Sequence, residues 1–146
     1  TRLGLPLVII GDGLQKNELK ANAGANVTFV DRHLTDSELV DYYRNCRALI
    51  MAQDEDFGIT AVEAAAAGKP VISYRESGAA EIIEDEKTGI LFSEQTAASL
   101  VSAVKKFTNH SFDSDVCRSQ AERFSQKRFH KEMKEIVERL YKTHQP

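Results

Sequence analysis

Basic charge, long apolar runs, cysteines and clustered histidines are all scarce in this chain. Nineteen Lys and Arg stand against 22 Asp and Glu, a formal net charge of −3, and the basic residues form no stripe. That removes the electrostatic footprint of a nucleic-acid-binding surface, so no nucleic-acid partner is expected. No apolar run approaches bilayer length, and the first residues show no signal-peptide pattern, so no membrane span is expected either. Cys46 and Cys117 lie in unrelated helical contexts without metal-ligand spacing and read as reduced thiols of a cytoplasmic domain. His33, His110, His130 and His144 are scattered, so no metal is assigned. Gly11-Asp12-Gly13 follows a strand and opens a helix, but Lys16 stands where a dinucleotide fingerprint has its third glycine. This argues against a nicotinamide enzyme.

What is present is an alternation. At 146 residues, 42% hydrophobic and 28% charged, the composition is that of one soluble globular domain. Short, nearly continuous apolar runs at 5–10, 27–30, 48–51, 70–73 and 89–91 read as strands covered on both faces. Amphipathic stretches at 14–23, 36–45 and 59–67 read as helices between them, with a short helix at 79–83. Beyond Phe92 the pattern is helical, over 96–107, 113–124 and 128–142. Thr35-Asp36-Ser37-Glu38 supplies a capping box for the second helix, whose Leu39, Tyr42 and Tyr43 take core-facing spacing. Gly68 and Pro70 close the third. The fold class is therefore α/β with a mainly parallel sheet and flanking helices.

The most informative stretch begins where Ala48-Leu49-Ile50-Met51 ends in an acidic cluster and a glycine, and an alanine-rich helix follows. Glu55 and Glu63 flank that turn with seven residues between them. Free N–H groups at a helix start suit phosphates, and fixed carboxylates suit hydroxyls. The combination matches a ligand that is anionic in the middle and hydroxyl-rich at its ends, such as a nucleoside diphosphate sugar.

Asp54-Glu55-Asp56-Phe57-Gly58-Ile59-Thr60-Ala61-Val62-Glu63, with Gly68-Lys69-Pro70-Val71-Ile72 behind it, resembles the signature of the retaining glycosyltransferases of family 4. Ser77-Gly78-Ala79-Ala80-Glu81-Ile82-Ile83, Thr88-Gly89-Ile90-Leu91-Phe92 and Ala121-Glu122-Arg123-Phe124-Ser125 extend the resemblance over nearly the whole chain. It implies the Rossmann-like C-terminal half of a two-domain GT-B enzyme. Glu63 is then the acceptor of the ribose hydroxyls, and Glu55 the catalytic-site residue at the transferred sugar. Phe57, Gly58, Ile59 and Thr60 offer backbone N–H groups to sugar and diphosphate, with an N-cap role competing at Thr60. Gly11 and Gly13 form a tight turn at the donor cleft, and Arg32 or His33 lines the base pocket. Asp31 departs from the pattern, because family members commonly have glycine there. Glu81 is read as a structural residue of its loop.

The implied reaction moves a hexose from a GDP- or UDP-linked donor to a glycan or glycolipid acceptor, with retention and without metal or cofactor. A mannosyl donor is slightly favoured. The place expected for it is the cytoplasm, at the inner membrane face in the full-length parent. The chain opens directly on a strand, and by resemblance a strand, a helix, an arginine–lysine loop and the N-terminal acceptor domain precede it. A fragment with weak nucleotide binding and little turnover is expected. Two other readings stay open: a non-catalytic sugar-nucleotide-binding module, and a dehydrogenase half or flavodoxin-like domain.

Overall fold

The computed structural model describes residues 3–144. Strands and helices alternate: β1 (Leu7–Ile10), α1 (Lys16–Asn22), β2 (Val27–Val30), α2 (Asp36–Asn45), β3 (Leu49–Met51), α3 (Ile59–Ala66) and β4 (Val71–Tyr74). A 3₁₀ turn (Gly78–Glu81), β5 (Gly89–Phe92) and the helices α4 (Ala97–Thr108), α5 (Ser114–Glu122) and α6 (Gln126–Thr143) complete the chain. The strand ladders are parallel, so the α/β class read from the alternation holds. Contacts divide the chain into two compact units between Asp41 and Tyr42.

In the first unit β1 pairs with β2, from Leu7 opposite Val27 to Ile10 opposite Val30. The ladder starts at Leu7 rather than at residue 5, because Pro6 has no N–H to contribute. The Leu7 N–H makes the first bond, to the Asn26 carbonyl at 3.0 Å. The first helix starts two residues later than its spacing predicts. Gly13 to Lys16 is a turn closed by the Lys16 N–H on the Gly13 carbonyl at 3.1 Å, and Leu14 stands fully in solvent. No described residue of this unit is buried, and Val8 and Ile10 are 45% and 42% exposed. These strands are not covered on both faces as their apolar character suggests, since two four-residue strands and a short helix close no core of their own. The capping box forms as its spacing predicts. Thr35 Oγ1 accepts from the Glu38 N–H at 3.3 Å, and Glu38 Oε2 accepts from the Thr35 N–H at 2.9 Å.

The second unit holds the sheet β3-β4-β5 and the buried core. Met51, Val71, Ile72, Ile82, Ile90 and Phe92 are almost fully buried, each apolar side chain contributing about 1.5–3 kcal/mol. Helix α3 buries Ala61, Ala64 and Ala65 and packs on α5, where Cys117, Gln120 and Ala121 are buried. Small side chains on both helices let the two backbones approach. The buried Gln120 amide donates to the Ile82 carbonyl at 2.9 Å, so no polar group is stranded there.

A Schellman motif ends α3. Gly68, at φ +77°, donates to the Ala65 carbonyl at 2.8 Å, and the Lys69 N–H reaches back to Ala64 at 2.9 Å. The segment expected as a helix over 79–83 is instead the 3₁₀ turn, capped by Ser77, which accepts from the Ala79 N–H at 3.3 Å. Helix α6 buries no residue; its Phe129, Met133, Ile136, Val137 and Leu140 lie open. Among the described residues no helix is long and apolar enough to cross a membrane.

Candidate functional site

Strand β3 delivers the chain to an acidic loop that a second loop braces. Ser77 Oγ accepts from the Glu55 N–H at 3.2 Å and donates to the Glu55 carbonyl at 3.3 Å. The same carbonyl accepts from the Gly78 N–H at 2.7 Å. A Cβ on Gly78 would overlap the Asp56 carbonyl, so only glycine permits this approach.

The loop then turns into α3 through Gly58, which sits in the left-handed region at φ +87°. A Cβ there would lie 2.7 Å from Ala79 Cβ. Gly58 is the N-cap of α3 and provides no side-chain cap, unlike Thr96 on α4 and Asp113 on α5. The first N–H groups of α3, at Ile59 and Thr60, have no intrahelical acceptor and point out of the helix end. Thr60 is not the cap; its hydroxyl donates to Met51 Sδ at 3.6 Å. Phe57 is half exposed and meets Phe124 edge-to-face, centroids 5.9 Å apart, while Ile59 is 65% exposed.

One turn into the helix, Glu63 Oε2 accepts a hydrogen bond from the Tyr43 hydroxyl at 2.8 Å. Tyr43 is buried, and burial together with the Glu63 carboxylate pushes its phenol above the ordinary tyrosine range. It therefore stays a donor. The spacing of α2 places Tyr43 on a core face, but nothing local ties it to Glu63. This partner was missed by sequence reasoning, as was the Ser77 bracket on Glu55.

The remaining predicted positions belong to the first unit. Gly11, at φ +130°, donates to the Val30 carbonyl at 3.0 Å, and Gly13 donates to Asp12 Oδ1 at 2.9 Å. Lys16 pairs with Asp12 at 3.3 Å and with Asp31 at 2.8 Å, and Lys20 reaches Asp31 at 2.8 Å. The two lysines hold Asp31 well below the usual carboxylate range. Arg32 forks onto Glu38 at 2.6 and 3.1 Å and also donates to the His33 carbonyl at 3.1 Å. Arg32, then the Thr35 N–H and hydroxyl, hold the Glu38 carboxyl down to about 2. Glu55, Phe57, Gly58, Ile59, Thr60 and Glu63 thus form one strand–loop–helix of the second unit, and Gly11, Gly13 and Arg32 a separate set in the first. Among the described residues no group of three His, Cys, Asp or Glu side chains is placed to hold a metal ion.

Comparison with known proteins bears on this arrangement. The chain is 32% identical over 110 residues to a glycogen synthase of Mycobacterium tuberculosis, covering 72% of this chain and 27% of that protein. In structure it is similar to a lipopolysaccharide outer core galactosyltransferase, WaaB, with a TM-score of 0.80 at 22% identity, over 90% of this chain and 40% of that one. It is also similar to Anabaena HepE in complex with UDP-glucose, with a TM-score of 0.63 at 21% identity, over 94% of this chain and 41% of that one. The chain thus spans about a quarter of the curated relative's length. Its fold is that of the C-terminal domains of GT-B glycosyltransferases. The family model described as Glycosyl transferases group 1 matches residues 2–128, and to that family this chain belongs.

Proposed function

We propose that this chain is the donor-binding domain of a retaining, metal-independent glycosyltransferase acting on a nucleoside diphosphate hexose. The observation that carries the reading is the braced acidic loop running into an uncapped helix, with Glu55 before the turn and Glu63 behind it. Family membership supports transfer from an activated sugar, and the UDP-glucose complex of a structurally similar protein supports a nucleoside diphosphate donor.

In this reading Glu63 accepts from the ribose hydroxyls, because a carboxylate offers two oxygens to a vicinal diol. Glu55 contacts the hydroxyls of the transferred sugar beside its anomeric carbon. Negative charge grows on the departing diphosphate as the glycosidic bond breaks. The N–H groups of Gly58, Ile59 and Thr60, fixed before the reaction starts, stabilise that charge, and Phe57 borders the sugar. Each such preorganised donor is worth about 10²–10³ in rate. For Gly11, Gly13 and Arg32 of the first unit the proposed role is donor binding. The acceptor, a glycan or glycolipid, is held by an N-terminal domain at the cytosolic membrane face, and mannose is the first sugar to test.

A thermal-shift panel with GDP, UDP, ADP, NAD and FMN, repeated on Glu63→Ala, tests this. Ligand at about one hundred times its Kd stabilises the fold by about 2.7 kcal/mol. Stabilisation by one nucleoside diphosphate, lost in Glu63→Ala, supports the ribose role and names the base. Stabilisation by NAD or FMN alone overturns the reading.

A further inference from the structure

We propose that Tyr43 is a positioning residue of the donor site: it commits one oxygen of Glu63 to the protein and presents the other to a ligand diol. The proposal rests on the reading of Glu63 as the ribose acceptor. Glu63 itself is exposed on α3, between Val62 and Ala64, neither of which gives its carboxylate a polar anchor. An exposed glutamate samples many rotamers, and a ligand that fixes it pays that entropy on binding.

Tyr43 removes part of this cost beforehand. Its side chain is buried at 9% exposure, and its hydroxyl donates to Glu63 Oε2 at 2.8 Å. Its own carbonyl accepts from Cys46 Sγ at 3.2 Å, on the last turn of α2. The anchor is therefore more rigid than the group it holds. A phenol that keeps its proton is donor to an acceptor-only carboxylate, so the polarity of the bond does not reverse. Among the described residues Glu63 Oε1 makes no hydrogen bond or ion pair, and Oε1 is the oxygen left facing a ligand. A tyrosine that merely stabilised the fold would act on every ligand alike. One that positions Glu63 acts only where a ribose diol meets it.

Calorimetric titration separates the two. Wild type, Tyr43→Phe, Glu63→Ala and the double variant are titrated with UDP, GDP and ADP, then with the 2′-deoxy form of the best binder. Phenylalanine keeps the ring and removes only the hydroxyl, and a melting curve for each variant confirms its fold. The expected result is a loss of about tenfold in Tyr43→Phe for the ribonucleotide, the scale of one charge-assisted hydrogen bond. The 2′-deoxy form changes by about twofold or less, and Tyr43→Phe has no further effect in the Glu63→Ala background. Equal losses for both nucleotides, or a full effect without Glu63, overturn the positioning role while leaving the ribose reading intact. A wild type that ignores the 2′-hydroxyl, with Glu63→Ala binding as well as wild type, overturns the ribose reading. Absence of any nucleotide binding by the wild-type chain overturns both.

Discussion

The hydroxyl of Ser77 brackets the backbone of Glu55, accepting from its N–H at 3.2 Å and donating to its carbonyl at 3.3 Å. The same oxygen caps the following 3₁₀ turn through the Ala79 N–H, and the side chain is 3% exposed. Ser77→Ala removes the acceptor of the part-buried Glu55 N–H and of the buried Ala79 N–H, while the Glu55 carbonyl keeps its bond from Gly78, and is expected to cost about 1–3 kcal/mol. Urea unfolding measures it. A midpoint equal to that of wild type would show that the bracket carries no stability.

Gly58 and Gly13 form a matched contrast. At Gly58 the backbone is left-handed at φ +87° and a Cβ would stand 2.7 Å from Ala79 Cβ. Gly58→Ala is expected to lose about 1–3 kcal/mol through backbone strain and overpacking. At Gly13 a Cβ meets nothing within 4 Å, so Gly13→Ala is expected to stay within about 0.5 kcal/mol of wild type. Thermal melts of the pair check both expectations. The same melts with bound nucleoside diphosphate report whether the α3 entrance still receives its ligand.

Acid stability carries a signature of the α2 cap. Glu38 is held down to about 2 in the fold, against an ordinary value of 4.5, by Arg32 first and then by the Thr35 N–H and hydroxyl. A depressed carboxylate contributes stability that is complete above its unfolded value and is lost as pH falls through the folded one. The contribution is thus present above about pH 4.5 and vanishes between there and about pH 2. Both partners are solvent-exposed, so the effect is small and screened by salt. Helix content followed over this range is expected to fall less steeply in Glu38→Gln. An unchanged acid limb would sink the assignment.

Helix α6 is long but borrows little from the rest of the unit. None of its residues is buried, and its cohesion comes from its own ladder and from i,i+4 pairs such as Arg128–Glu132 at 2.6 Å. Its amide protons are therefore expected to exchange by local opening, well before those of α3 and α5, which bury residues against each other. Hydrogen exchange followed by mass spectrometry decides it. Equal protection along α5 and α6 would contradict the exposed face.

Much of what the local chain dictates was open to reading from the sequence, though the start of α1 and the 3₁₀ turn at 78–81 were not. The alternation of apolar runs with amphipathic stretches marks parallel strands joined by helices. Thr35 and Glu38 announce a cap, and Gly68 before Pro70 announces a stop, because each depends on hydrogen bonds between residues three to five apart. The acidic turn between Glu55 and Glu63 was equally visible, since it lies within one strand–loop–helix. Packing decided the rest. Tyr43 meets Glu63 across 20 residues, and Ser77 meets Glu55 across 22, by the way α2, α3 and the 3₁₀ turn settle around the sheet of the second unit. Periodicity says which face of a helix turns inward, not which polar group waits there. The exposure of β1 and of the α6 face has the same origin. An apolar pattern records a side chain's tendency to be covered, and only the tertiary structure determines what covers it.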